Sequence, residues 1–82
     1  MKTILYTVAA ARALRTHANR AKLIRSKIAQ YADDPATQAN NVKRLTGVDA
    51  LRLRVGDFRV NFSETAETIT ILDIGPRGGI CE

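Results

Sequence analysis

A single histidine and a single cysteine stand among 82 residues, and that scarcity removes much familiar chemistry. His17 and Cys81 make no Cys/His cluster, so neither a structural nor a catalytic zinc site is expected, and nothing calls for a cofactor. One thiol makes no internal disulfide, which fits a reducing cytoplasm. No apolar run approaches the ~20 residues of a membrane span. Met1-Lys2-Thr3 and the brief apolar run behind it break into Arg12 and Arg15, without the long apolar core of a signal peptide. Acid is also missing over a long interval. From Arg12 to Lys27 there are six basic residues (Arg12, Arg15, Arg20, Lys22, Arg25 and Lys27) and no Asp or Glu. There is no internal repeat and no linker.

What is present is an ordinary folding composition with an unusual charge. Hydrophobic residues make up 45% of the chain, as in a globular protein rather than a disordered one. The length sets a single domain, 1–82, with one modest core. A net charge of +5 on so small a chain favours acidic partners, either nucleic acid or an acidic protein that masks the basic surface. The basic run 12–27 taken alone reads equally well as solvated helix faces.

The most informative stretch is Leu51-Arg52-Leu53-Arg54-Val55-Gly56-Asp57-Phe58-Arg59-Val60-Asn61-Phe62. Apolar and polar residues alternate on both arms, the signature of half-buried strands. Gly56-Asp57 makes a short hairpin turn, with glycine supplying the positive φ that such turns demand. Counting outward pairs Val55 with Phe58, Arg54 with Arg59, Leu53 with Val60 and Arg52 with Asn61. Leu51, Leu53, Val55, Phe58, Val60 and Phe62 then face the core. Arg54 and Arg59 oppose each other on the other face, which costs a few tenths to about 1 kcal/mol. Exposed arginines can simply splay into water. Guanidinium forks also fit phosphate, and a chain that carries such a pair has a use for it in holding an anion.

The remaining chain reads as an α+β domain in the order β-α-α-β-β-β. Lys2–Val8 is β-branched and aromatic enough for an opening strand. Ala9–Ala18 and Arg20–Ala32 carry apolar residues at helical spacing, with a break at His17-Ala18-Asn19 that Asn19 can cap. Asp33-Asp34-Pro35 stops the second helix. Ala36–Gly47 reads as a mostly polar loop anchored by Val42 and Leu45. Strands at Ala50–Val55, Phe58–Ser63 and Thr68–Ile74 follow, the last apolar on both faces like a strand covered on each side. Two N-terminal helices then cover one face of a mainly antiparallel sheet, leaving the other to Arg52, Arg54, Arg59 and Asn61. Tyr6 and Tyr31 read as packing residues, and His17 lies far in sequence from the arginine face.

This order, with the segments Arg52-Leu53-Arg54-Val55-Gly56-Asp57-Phe58-Arg59-Val60 and Ile74-Gly75-Pro76-Arg77-Gly78-Gly79-Ile80, resembles the RelE/ParE family. Its members are the toxin halves of bacterial type II toxin–antitoxin pairs. The resemblance spans essentially the whole chain and is strongest from Lys43 to Glu82, beginning with Lys43-x-Leu45-x-Gly47; the first half matches in pattern only. It implies the RelE-like microbial RNase fold. The pattern is closer to the RelE branch, whose members enter the ribosomal A site and cut mRNA there without a metal. The reaction is attack of a ribose 2′-hydroxyl on the adjacent phosphate. It needs removal of the hydroxyl proton, stabilisation of a crowded phosphorane, and a proton for the leaving oxygen.

By that resemblance Arg59 and Arg77 clamp the scissile phosphate, and Arg52 and Arg54 add positive charge beside it. Lys43, Arg44 and Asn61 complete the RNA-binding set. A guanidinium suits this role, since it is always charged and is a poor general base. Gly78-Gly79 lets a phosphate approach the backbone beside Arg77. Cys81 departs from the family pattern, because RelE-like members commonly carry an active-site tyrosine there. A thiol titrates near about 8.5 and a phenol near about 10, so cysteine can shuttle a proton. It lacks the reach of tyrosine and the ring for stacking. The expectation is a chain that retains RNA binding and cleaves weakly.

The implied partners are a cognate antitoxin, the ribosome with its mRNA, and operator DNA only through the antitoxin, with no membrane. Two other readings compete. A ParE-type, non-enzymatic inhibitor of DNA gyrase keeps the fold but generally lacks the arginine constellation. A plain basic nucleic-acid-binding module would bind in a salt-sensitive way without cleaving. The absence of aromatics among Arg52, Arg54, Arg59 and Asn61 weighs against a stacking-based single-strand binder.

Overall fold

The computed structural model describes residues 2–47 and 49–76. Strand β1 (Thr3–Tyr6) passes into helix α1 (Val8–Thr16) through Thr7, whose side chain accepts a hydrogen bond from the Ala10 N–H at 3.1 Å. That bond satisfies one of the otherwise unpaired donors of the first helical turn. The opening strand is shorter than Lys2–Val8, because Val8 already begins the helix and is 74% exposed. Helix α2 (Ala18–Asp33) starts after the single residue His17, whose N–H still reaches the Ala13 carbonyl at 2.9 Å. Asn19 therefore lies inside the first turn of α2 instead of capping it, and α2 has no side-chain cap. Asp34 ends α2 in an extended conformation before Pro35, as the restriction on pre-proline residues requires.

The stretch expected as a polar loop has more order than its sequence announces. It forms a 3₁₀ segment, Pro35–Asn41, and a short strand, β2 (Val42–Arg44). Gln38 is the reason for the first: 3% exposed, it donates to Gln30 Oε1 (2.9 Å) and accepts from Asn41 Nδ2 (3.3 Å). A buried amide satisfied at both ends fixes the backbone around it. Three residues are too few for the alternation of β2 to stand out in sequence.

Strands β3 (Leu51–Val55), β4 (Phe58–Glu64) and β5 (Thr68–Pro76) complete a sheet of order β1-β5-β4-β3-β2. All pairings are antiparallel except β1 with β5. This is the expected α+β class, helices against a mainly antiparallel sheet, with β2 added at one edge. The β3–β4 register is the one the alternation predicts, from Val55 opposite Phe58 to Leu51 opposite Phe62. Gly56 takes φ 57° and no other residue of the turn has positive φ, the pattern of a type II′ turn. Leu53, Val55, Val60 and Phe62 are buried with Ile69, Ile71 and Ile74 of β5, against Ala10, Leu14, Ile24 and Ile28 of the helices.

β5 breaks the simple alternation. Asn61 pairs with Asp73, yet Phe62 pairs with Ile71, so Leu72 is an extra residue in a β-bulge. The bulge lets Ile71 and Ile74 share the core face while Leu72 stays 38% exposed. The apolar run that reads as a strand covered on both sides is thus a bulged strand with one core-facing side. Thr7 Oγ1 donates to the Leu72 carbonyl at 2.8 Å, so one threonine both caps α1 and ties it to the bulge.

Candidate functional site

The sheet pairings bring one residue from each of four strands into a single row. Lys43 of β2 is opposite Arg52 of β3, Arg52 is opposite Asn61 of β4, and Asn61 is opposite Asp73 of β5. Paired residues share a face, and their neighbours Leu53, Val60 and Ile74 point into the core, so this row lies on the side away from the helices. One step along, Arg54 faces Arg59, and Arg59 faces Gly75. The row floors an open cleft of about 800 Å³, walled by Arg44, Leu45, Thr46 and Ala50 at one side and by Leu72 at the other.

Among the described residues, four cations and one carboxylate line this cleft. Arg52 is only 7% exposed and donates from Nε to Asn61 Oδ1 at 3.2 Å, so it is a built-in part of the floor and not the solvent-facing arginine expected from its sequence position. Its place on a strand paired on both sides explains the burial. Lys43 and Arg44 are exposed on the edge strand. Arg44 lies 3.8 Å from Asp49, an exposed pair worth little. Arg54 is exposed and stands outside the main cleft, in an adjoining hollow of about 180 Å³ with Asp57, Phe58 and Arg59.

Arg59 borders both hollows. Its Nε is buried and has no hydrogen-bond partner among the described residues. A buried N–H left unpaired costs about 1–3 kcal/mol, and more when the group is charged. The cross-strand repulsion from Arg54 adds a few tenths to about 1 kcal/mol. An anion seated between the two arginines relieves the repulsion between them, and a phosphate matches the guanidinium fork. Arg77 and Cys81, the other two residues expected at the reacting centre, lie outside the described residues.

Asp73 and Leu72 belong to the cleft and were not singled out by the sequence. The available signal was the Ile71-Leu72 doublet, which interrupts alternation just before an acid. Other polar clusters lie elsewhere. His17 packs edge-on against Phe58 with ring centroids 4.8 Å apart, among the core-side contacts of the hairpin. Glu64, at the far end of β4, accepts from Lys2 Nζ and from Tyr31 Oη, both at 2.6 Å. Burial opposes ionisation of Glu64, but the Lys2 and Tyr31 hydrogen bonds outweigh it and hold the carboxyl below its usual range. Burial, reinforced by Glu64, pushes the Tyr31 phenol up to about 12. Burial also raises the Tyr6 phenol, against the pull of Arg25, whose guanidinium lies 5.9 Å from the ring centre. These groups join β1, α2 and the sheet away from the arginines.

Among the described residues no group of three or more His, Cys, Asp or Glu is placed to hold a metal ion, and no helix is long and apolar enough to cross a membrane. No protein-family model and no curated protein matches the chain. Among solved structures, a chain of the crystal structure of the archaeal RelE–RelB complex from Pyrococcus horikoshii OT3 superposes with a TM-score of 0.76. The two are 24% identical, over 94% of this chain and 96% of that one. At that identity the likeness shows a common fold: the α+β architecture described above is that of a chain in the RelE–RelB complex.

Proposed function

We propose that this chain is a RelE-type toxin of a toxin–antitoxin pair, an endoribonuclease that cuts mRNA on the ribosome. The observation that carries the proposal is Arg59: a guanidinium whose buried Nε has no partner among the described residues, opposite Arg54 and bordering a cationic cleft on the open side of the sheet. Arg59 and Arg77 hold the scissile phosphate and stabilise the charge that grows on it. Arg52, fixed by Asn61, and Arg54 add positive potential, while Lys43 and Arg44 hold the flanking backbone. The fold shared with a chain of the RelE–RelB complex supports the reading, as do the motif segments around Arg54 and Arg77. The partner is a cognate antitoxin whose acidic or amphipathic segment covers the basic surface, and operator DNA is reached only through it. Cys81, at the position where a tyrosine is common, weakens the proton transfers.

The test is mRNA cleavage on purified ribosomes, mapped by primer extension. The chain should cut, and Arg59→Ala should lower the rate by about 10²–10³-fold, the usual loss for one charge-stabilising donor. Cys81→Tyr should cut faster than the unchanged sequence. If neither the chain nor Cys81→Tyr cuts, and expression in cells induces DNA-damage signalling before translation stops, the gyrase-type alternative replaces this one.

A further inference from the structure

Asp73 is the single acid among the described residues lining the cleft, and neither packing nor anion binding accounts for it. A carboxylate beside Arg52 and Arg59 works against holding a phosphate. The fold nevertheless spends a bulge on placing it there. Ile71 faces the core, so strict alternation would turn position 73 inward as well; the extra residue Leu72 sends it to the cleft. Oδ1 of Asp73 accepts the Ile74 N–H at 2.9 Å, which fixes the side chain, and Oδ2 makes no hydrogen bond with any described residue. Arg59 is opposite Gly75, which makes Asp73 its diagonal neighbour across β4 and β5. Diagonal positions lie about 7–8 Å apart, a span that one phosphate and its adjoining ribose fill.

Resting on the ribonuclease reading above, we infer that Asp73 is the general base of the cleavage. Its carboxylate takes the proton from the 2′-hydroxyl next to the phosphate held by Arg59. The 2′ oxygen forms a bond to phosphorus, the bond from phosphorus to the 5′ oxygen breaks, and the departing oxygen takes a proton from solvent. The products are a 2′,3′-cyclic phosphate and a 5′-hydroxyl, and Asp73 returns its proton to solvent. The arginines of the cleft are poor bases, and the only histidine packs on Phe58 with the core residues.

The test pairs two measurements on ribosomes: the cleavage rate, and the affinity for ribosomes loaded with an mRNA carrying a 2′-deoxynucleotide at the cut site. Asp73→Asn keeps the Oδ1 acceptor and removes the charge. It should cut about 10²–10⁴-fold more slowly, the range of general-base catalysis. It should bind the uncleavable complex as tightly as the parent or more tightly, since a negative charge has left a phosphate site. Asp73→Glu, which retains a base, should recover part of the rate. A parent that cuts together with an Asp73→Asn variant that cuts equally fast overturns the inference and leaves the ribonuclease reading standing. Parallel loss of rate and affinity in Asp73→Asn also overturns it, by assigning the residue to binding. If neither the parent nor Cys81→Tyr cuts, both readings fall; if only Cys81→Tyr cuts, the same comparison is made in that background, where equal rates with and without Asp73→Asn overturn the inference.

Discussion

Arg59→Met removes a guanidinium whose buried Nε has no partner among the described residues and which faces Arg54 across the strand pair. The unpaired N–H costs about 1–3 kcal/mol, and the like-charge pairing a few tenths to about 1 kcal/mol. Methionine keeps an unbranched apolar stem, so little packing is lost. The variant should therefore be more stable than the parent by about 1–3 kcal/mol. For a chain of this size each kcal/mol moves the melting temperature by about 4–8 °C. Urea unfolding and thermal melts of the isolated chain read the effect directly. Arg54→Met is the control: Arg54 is exposed, so it sheds only the repulsion and should gain no more than about 1 kcal/mol. Added salt should stabilise the parent more than Arg59→Met, because the repulsion that remains in the parent is screened. An Arg59→Met variant that melts at or below the parent refutes the reasoning, for it would mean that the folded chain already satisfies this guanidinium. Stability gained at the residue assigned to the phosphate is the trade-off expected of a site strained for function.

Tyr31→Phe removes a hydrogen bond to a partly buried carboxylate and should cost about 1.5–3 kcal/mol in urea unfolding. Because Glu64 ionises more readily in the folded chain, its contribution should be intact at neutral pH. It should fade as acid carries the pH below the ordinary glutamate range and through the lowered folded value, and melts across that window check it. The Tyr31 phenol moves the other way, so stability should fall as pH rises from its ordinary value of 10.0 toward about 12, and Tyr31→Phe should flatten that limb. Gly56→Ala meets no atom within 4 Å, so its cost is conformational alone, about 1–2 kcal/mol from forcing an L side chain to φ 57°. Thr7→Val removes the α1 cap and the donor to the Leu72 carbonyl together, and should cost about 1–2 kcal/mol by the same unfolding assay.

The hairpin was legible because its two arms alternate without interruption and meet at a glycine, so register, core face and the Arg54–Arg59 opposition all follow from counting. Legibility failed where a residue answers to partners distant in sequence. Arg52 reads as exposed from the alternation alone, but strands on both sides and a bond to Asn61 take it out of solvent. Gln38 orders the segment before β2 through Gln30, a residue in the preceding helix. Asn19 resembles a cap, yet α2 begins one residue before it. Asp73 went unnoticed because strand periodicity assumes no insertion, and one extra residue reverses the face of everything beyond it.

The parallel pairing of β1 with β5 has a consequence for how the chain is made. Thr7 and Leu72, which bond where the two strands meet, are 65 residues apart. A ribosome delivers β1 before β5, its strand partner among the described residues, so this edge of the sheet waits until β2, β3 and β4 have been made. The β3–β4 hairpin, joined by a tight turn, can form during synthesis, and so can the two helices. Until β5 emerges, Ile4 has no Ile69 beside it and the edge of β1 stays open to other chains. Anything that binds the emerging β1 edge would therefore act before the row from Lys43 to Asp73 has been assembled.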